Sequence, residues 1–315
     1  MNEDKTKSNT SLSQNGLFHL LVVYIVWSTT YLAIRLTVMP GAGFTPFAMG
    51  AMRLLAAGVL LAAYAGLRGH RLRLSRQELW FSAVTGILLW VGGTGLVIWA
   101  EQTANSGFAA LVIASTPIWV ALFDAILDKK TPSLLLVVSL IIGFGGVILL
   151  MAPSLLQGSS TSLMAAAALV TAAVSWSAGS VYQARSSVKM VPTVLSTYQH
   201  IFGGLALAVM WIAAGEPMPH PTATAWGAWA YLVIFGSVIA FTSFIKALKL
   251  LPINIATTYS YVNPVLALLL GWWLLDEQLT VWTLAGAILI VVGIIGVFRG
   301  RKVEPDQAVE LEEDD

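Results

Sequence analysis

The sequence predicts an all-α integral membrane protein of ten transmembrane helices, arranged as two halves of five helices with inverted topology. Three observations lead to this fold class: the composition, the spacing of the apolar segments and a similarity between the two halves. Of the 315 residues, 57% are hydrophobic and 10% are charged, and the mean hydropathy is +0.79. Soluble domains carry about a quarter charged residues, so most of the apolar surface is expected to face lipid.

Ten apolar segments have roughly the 20 residues that a helix needs to cross the hydrocarbon core of a bilayer. They are rich in Leu, Val, Ala and Gly and lack the alternation of barrel strands, which favours helices. The segments lie at 18–37, 47–67, 79–99, 107–127, 134–151, 163–183, 194–214, 226–247, 255–275 and 281–298. Residues 1–17 are expected to form a disordered cytoplasmic arm, and residues 299–315 an acidic cytoplasmic tail.

Basic residues occur at every second connection, and Lys and Arg in short loops are enriched on the cytoplasmic side. They precede the first segment, follow the last, and lie at the junctions of segments two and three, four and five, six and seven, and eight and nine. The alternate connections contain none; these are 38–46, 100–106, 152–162, 215–225 and 276–280. This distribution predicts a multi-pass protein of the cell membrane with both termini in the cytoplasm.

The two halves, 18–151 and 163–298, share a sequence pattern. Pro264 follows Pro117 at an offset of 147 residues (264 minus 117), and the flanking residues are similar. Comparable offsets relate Trp27 to Trp176, Pro46 to Pro192, Asp128 to Asp276, and Gly143 with Gly146 to Gly293 with Gly296. Because each half has an odd number of helices, the second half enters the membrane from the opposite side. Such inverted repeats build many secondary transporters, with the site near the midplane; the alternative is a symmetry that only builds the fold.

Four stretches of the chain carry a family resemblance. They are VWSTTYLAIR in the first segment, MGAMRLLAAG in the second, AEQTANSGFAAL leading into the fourth, and PINIATTYSYVNPVLALLLGWWLLDEQLT through the ninth. Together they resemble the EamA branch of the drug/metabolite transporter superfamily. The resemblance covers both halves and implies a ten-helix permease, commonly an exporter of amino acids, related metabolites or drugs.

Ionisable and polar groups inside the membrane are candidates for function because they are costly there unless paired or hydrated. Arg53, within the second segment, is either a carboxylate-binding residue or a paired structural arginine. Trp27 and Tyr31 lie one helical turn apart and either receive substrate or belong to an interfacial belt. His200 lies beside Gln199, the counterpart of Arg53, and either relays protons or is structural.

The two matching prolines mark the places where helices of inverted-repeat carriers are often broken or kinked. The polar neighbours available to line a cavity there are Thr116 beside Pro117, and Tyr259, Tyr261 and Asn263 beside Pro264. Trp90 and Trp176 add to an aromatic interior that suits amphipathic or aromatic solutes. Purely structural kinks and interfacial tryptophans are the alternatives.

The composition also argues against other classes of function. The 17 basic and 16 acidic residues nearly balance, so the chain lacks the strong positive electrostatic field that binds the phosphates of nucleic acid. The chain has no cysteine, no phosphate-binding loop sequence and no cluster of catalytic groups, so neither cofactor, metal nor enzyme activity is predicted. We therefore predict a secondary transporter, with a small-molecule substrate and the lipid bilayer as partners. A passive channel or facilitator is the alternative, and the sequence does not decide whether a homodimer forms.

Overall fold

The computed structural model of the chain describes residues 13–129, 134–156, 160–276 and 278–300. These residues form helices and connections without a β-strand. Seven helices are long and apolar enough to cross a membrane. The helices are α1 Gln14–Val38, α2 Pro46–Leu67, α3 Arg76–Ala100, α4 Ser106–Leu127, α5 Leu134–Leu156, α6 Ser160–Ala184, α7 Pro192–Ala213, α8 Ala223–Leu250, α9 Ile253–Ala256, α10 Tyr259–Leu275 and α11 Val281–Gly300.

The helices begin where the sequence supplies a cap. Helix α1 starts at Gln14, earlier than predicted, because the Ser13 hydroxyl accepts a hydrogen bond from the Gly16 amide and satisfies a free donor of the first turn. Ser75 and Glu78 form a reciprocal capping box at the start of α3. Helices α2 and α7 begin with Pro46 and Pro192, a position where a missing amide proton costs nothing. Most of the predicted arm and tail lies outside the described residues.

The third helix of each predicted half contains a π-helical stretch, which sequence reasoning did not anticipate. It spans Ile87–Gly95 in α3 and Leu232–Phe241 in α8. A π-helical stretch widens the backbone spiral and shifts the carbonyl pairing, and such stretches are frequent at functional sites. The Trp27 indole donates to the Gly236 carbonyl within the second of these stretches, at 3.3 Å.

Both predicted helix breaks exist, but the two prolines occupy different places. The fourth helix is interrupted at Ala114 and Ser115, and the ninth predicted span is interrupted between α9 and α10. Pro117 lies in the first turn after its break, and the Thr116 hydroxyl binds the Ile113 carbonyl that the proline leaves without its usual donor. Pro264, by contrast, lies inside α10. The prediction that the prolines are equivalent is therefore wrong in detail.

Two helix pairs bring corresponding residues of the two halves together. Helix α2 packs along α7, and α5 packs along α11. A methyl group added to Gly58 would lie 3.0 Å from Ile201, and one added to Gly204 would lie 2.9 Å from Leu55. The offset that relates Pro46 to Pro192 also relates Gly58 to Gly204 and Leu55 to Ile201. The second contact is therefore the first contact with the two halves exchanged. A methyl group on Gly293 would likewise lie 2.8 Å from Gly143, its predicted counterpart.

Two further sets of contacts agree with the predicted repeat. Helix α1 contacts α8 and α10, while α6 contacts α3 and α4. The predicted repeat pairs α1 with α6, α8 with α3, and the α9–α10 pair with α4, so it would relate these two sets of contacts. We refer to the end of the bundle where α1 begins as end A and to the opposite end as end B.

Candidate functional site

A small cavity lies between helices from both halves. Its volume is about 70 Å³, and it is lined by residues of α1, α2, α3, α4, α6 and α10. The lining residues are Trp27, Thr30, Tyr31, Ile34, Arg53, Trp90, Gly93, Thr94, Val97, Ile113, Ala172, Trp176, Tyr259 and Asn263. Ligand sites for drug-sized molecules usually enclose about 300–1,000 Å³, so this conformation accommodates only water or a very small solute without rearranging.

Arg53 is the one charged side chain among the lining residues. It is 3% exposed, and its Nε donates to the Ser237 hydroxyl of α8 at 2.9 Å. The guanidinium also lies 5.4 Å from the Trp90 ring, which is a cation–π distance. Among the described residues, no group accepts a hydrogen bond from Nη1, and no carboxylate forms an ion pair with Arg53. The cavity therefore contains a buried positive charge that its own walls do not neutralise.

Keeping an unpaired cation in a buried site costs several kcal/mol unless water or a ligand solvates it. Arginine stays protonated in proteins, so the site does not escape this cost by losing a proton. A structural arginine would normally have a carboxylate or a full set of carbonyl acceptors. Neither is present around Arg53 in the described part of the chain.

The aromatic lining residues form a connected cluster on the side of the cavity nearer end A. Trp27 contacts Trp176, Phe244 and Tyr259 with ring centroids 5.3, 5.0 and 5.0 Å apart. Pairs of this kind contribute about 0.5–1.5 kcal/mol each beyond the area that they bury. Tyr24 hydrogen-bonds Thr258 one helical turn closer to end A, so α1 and the start of α10 are joined there. The cluster therefore lies between the cavity and end A.

The opposite side of the cavity extends toward end B. Ile34, Val97 and Ile113 line this side, and each lies one to two turns from the terminus of its helix at end B. The cavity therefore has aromatic walls toward end A and aliphatic walls toward end B.

The sequence of the chain matches the EamA-like transporter family over residues 14–152 and again over residues 163–299. The chain belongs to the EamA-like transporter family. It is 35% identical to the uncharacterized inner membrane transporter YedA of Escherichia coli K12 over 294 residues, which cover 92% of each chain. It is 26% identical to the uncharacterized transporter sll0355 of Synechocystis, covering 92% of this chain and 91% of that one. A protein of known crystal structure has a TM-score of 0.67 and 25% identity, covering 93% of this chain and all of that one.

Membership of the EamA-like family establishes a multi-pass membrane protein and indicates a transporter rather than an enzyme. The family match recurs once in each half of the chain, and each match spans roughly the same length. The names of the relatives state no substrate. The nature of the solute has to be inferred from the cavity.

Seven of the thirteen residues predicted for the substrate site line the transporter's cavity. They are Trp27, Tyr31, Arg53, Trp90, Trp176, Tyr259 and Asn263. Asn263 is held by the Ser28 hydroxyl, which donates to its Oδ1 at 2.9 Å. The side chain of Tyr261 lies outside the described part of the chain.

The other five predicted residues are not lining residues. Thr116 and Pro117 lie in the first turn after the break at Ala114 and Ser115, and Pro264 is buried within α10. The Gln199 amide nitrogen donates to Thr85 and to Gln183, both at 2.7 Å. His200 packs between Trp90 and Phe241 and hydrogen-bonds the Ser196 carbonyl at 2.7 Å. Gln199 and His200 therefore contact neighbouring helices instead of the cavity. Gln199 joins α7 to α3 and α6, and His200 packs α7 against α3 and α8.

The cavity also contains residues that the sequence reasoning did not select. Thr30 and Ile34 follow Trp27 at three and seven positions, and Gly93, Thr94 and Val97 follow Trp90 at three, four and seven. Both series are the spacing of a single helix face. Extending the two tryptophans along their faces would therefore have found these five residues.

Polar links join the two halves at both ends of the transporter. At end A, Arg185 after α6 pairs with Asp124 at 2.9 Å and with Asp128 at 2.7 Å, both at the end of α4. Hydrogen bonding to Asp128 and Asp124 raises the pKa of Arg185 above its ordinary value. At end B, the Glu216 carboxylate accepts hydrogen bonds from the Phe47 and Ala48 amides at the start of α2. A carboxylate at a helix N-terminus is favoured by the helix dipole.

Proposed function

We propose that the protein is a secondary transporter that exports amino acids or related small metabolites by alternating access. The observation that carries the proposal is the cavity: it is built from both halves, contains Arg53 without a neutralising carboxylate in the described part of the chain, and has an aromatic cluster on one side only. A channel would need a continuous path. The small volume of the cavity and the aromatic cluster of Trp27, Trp176 and Tyr259 between it and end A support a carrier.

We further propose that ten spans form two inverted repeats of five. The reciprocal contacts of Gly58 with Ile201 and of Gly204 with Leu55 support a pseudo-two-fold axis between α2 and α7. Gly143 and Gly293 support the same axis between α5 and α11, because corresponding residues touch each other only near an axis. The matched π-helical stretches of α3 and α8 add local agreement. Helices α5, α10 and α11 coincide with the three predicted spans beyond the seven.

The charges support an orientation with end A in the cytoplasm. Basic residues flank the helix ends at end A, and the connections at end B lack them. With this orientation the cavity extends outward and is closed inward, the state expected after an exporter has released its solute. The absence of cysteine allows a direct test, since single cysteines can be introduced at Ser187 near end A and at Ala214 near end B. In intact cells a membrane-impermeant maleimide should label Ala214→Cys and not Ser187→Cys.

Counterflow in proteoliposomes tests the transport proposal. Vesicles are loaded with an unlabelled amino acid or organic acid, and entry of the same labelled solute is followed with and without a pH gradient. A carrier gives transient accumulation above the equilibrium level, because the internal solute returns the site to the outer face. Entry that only equilibrates and does not saturate would support a channel or facilitator instead. A pH-gradient dependence would identify proton coupling.

A further inference from the structure

Three buried donors of the lining residues have no acceptor among the described residues: Arg53 Nη1 and the indole nitrogens of Trp90 and Trp176. The Arg53 and Trp90 side chains lie against each other in the wall of the cavity. Buried donors without acceptors are rare in native proteins, so these two predict a ligand or water that accepts hydrogen bonds. No aspartate or glutamate is among the lining residues.

We propose that the recognised group of the solute is a carboxylate, which binds Arg53 Nη1 and Trp90 Nε1, and that the solute needs no ammonium group. This inference rests on the proposed transport function and specifies its substrate class. Because Arg53 Nε already donates a hydrogen bond to the Ser237 hydroxyl, the carboxylate would accept hydrogen bonds from the terminal nitrogens of the guanidinium. Charge-assisted hydrogen bonds of this type are short and about twice as strong as neutral ones.

The remaining walls define the rest of the solute. Trp27, Trp176 and Tyr31 present aromatic surface, and Ile34 and Val97 present aliphatic surface. Once the cavity widens from its present volume of about 70 Å³, these walls favour an apolar body beyond the carboxylate. A phosphate ester or a dicarboxylate would bring a second negative charge into a site with one cation, and that charge would be buried without a partner. A small monocarboxylate with an apolar body satisfies the donors and leaves no charge unpaired.

Four matched compounds test the inference on the wild-type protein. 3-Phenylpropionate has the carboxylate alone, phenylalanine adds the ammonium group, phenethylamine has the amine alone, and 3-phenylpropanamide replaces the carboxylate with a neutral amide. Binding is followed by tryptophan fluorescence in detergent, because Trp27, Trp90 and Trp176 line the cavity. The acid should bind at least as tightly as phenylalanine, and about tenfold or more tightly than the amide or the amine.

Two results with the wild-type protein would overturn the proposal. One is equal affinity for the acid and the amide. The other is phenylalanine binding at least tenfold more tightly than 3-phenylpropionate, which would make an ammonium group part of recognition and direct attention to Glu101, buried at the end of α3. Neither result depends on whether a variant folds.

Variants then locate the effect. Arg53→Gln should abolish the preference for the acid over the amide, and Arg53→Lys should keep part of it, since the charge remains. Ser237→Ala, which frees Nε, should weaken acid binding and leave amide binding unchanged, as expected for a positioning residue. The matched control is Arg71→Gln, which removes the same kind of side chain from an exposed ion pair with Glu78. An acid preference that survives Arg53→Gln would refute the assignment to Arg53.

Counterflow with the same four compounds separates this inference from the transport proposal. Exchange of the acid and of phenylalanine, but not of the amine or the amide, supports both. Exchange of other solutes without binding or exchange of the acid refutes the substrate class and leaves the transporter standing. Selective acid binding without exchange of any compound supports the carboxylate site and contradicts alternating access.

Discussion

Breaking the ion pairs at end A should shift the transporter toward the state in which its cavity opens at that end. Arg185 belongs to the second half, whereas Asp124 and Asp128 belong to the first, so the pairs join the halves only while end A is closed. Arg185→Gln removes both pairs and keeps a polar side chain of similar length. The cavity should then become more accessible from end A.

The size of the shift follows from the exposure of the pairs. The Arg185 side chain is 39% exposed, and those of Asp124 and Asp128 are 20% and 38% exposed, so the values for solvent-exposed pairs apply. Such pairs contribute roughly 0.2–1 kcal/mol each. Two pairs therefore stabilise the closed end by about 0.4–2 kcal/mol, which corresponds to a change of about 2- to 30-fold in the ratio of the two states. High salt should reduce the effect by screening.

The pH dependence of this effect has a definite sign. The folded-state pKa of Arg185 is raised, so its contribution is fully present below the ordinary arginine pKa and is lost only as the pH rises through the raised value. That range lies above any at which transport is measured. Within the working range Arg185 should therefore stay charged, and its contribution to the pairs should not change with pH.

The assay uses Thr30→Cys, a small substitution of a lining residue in a chain without cysteine. Labelling by an impermeant maleimide is compared in inside-out and right-side-out vesicles, with and without Arg185→Gln. The control is Arg71→Gln, which breaks an exposed pair within the first half. Unchanged labelling from end A, or an equal change in the control, would refute the idea that the Arg185 pairs hold that end closed.

Three further predictions follow from the packing. Gly58→Leu and Gly204→Leu should each lower the stability of the detergent-solubilised protein by a similar amount, about 1–3 kcal/mol. Gly66→Leu is the control, because a methyl group there meets nothing within 4 Å, and it should not lower the stability. Unequal losses for the first two variants in thermal unfolding would show that the contacts are not reciprocal. Trp27→Ala should open the aromatic seal and let solute equilibrate without counterflow, whereas Trp27→Phe should preserve accumulation. Glu216→Ala should destabilise α2 by about 0.5–2 kcal/mol through loss of its N-terminal cap, and an unchanged melting temperature would show that the cap contributes nothing.

The sequence predicts the parts of this transporter that depend on regular periodicity. Seven predicted spans recur as helices of spanning length, since each is a long apolar run that only an internally bonded helix can satisfy in lipid. The position of Arg53 at the cavity was predictable because a charged side chain within an apolar span is costly unless it is paired or lies in a cavity. Trp27 and Trp90 were predicted to belong to an aromatic interior. Helix geometry then predicts which residues on the same helix face line the cavity beside each of them.

The parts that were missed depend on tertiary packing. Gln199 corresponds to Arg53 in sequence, yet its amide binds Thr85 and Gln183 instead of facing the cavity. The sequence pattern relates the two positions but does not show which of them faces the cavity. The π-helical stretches were missed because their sequences, ILLWVGGTG and LVIFGSVIAF, are also compatible with an ordinary α-helix.

The proposed repeat divides the bundle into contacts that can persist and contacts that must change. When the two halves exchange roles, α2 takes the place of α7 and α5 takes the place of α11, so each of these helix pairs is unchanged. The same packing can therefore serve both the state open at end A and the state open at end B. The contacts of α1 with α10 and of α6 with α4 map onto each other, and both sets include a link at end A, Tyr24 with Thr258 and Arg185 with Asp124, so opening end A requires both sets to change. Arg53 lies on α2, among the persistent contacts. The binding charge can then keep its depth in the membrane while the aromatic walls on α1, α6 and α10 move around it.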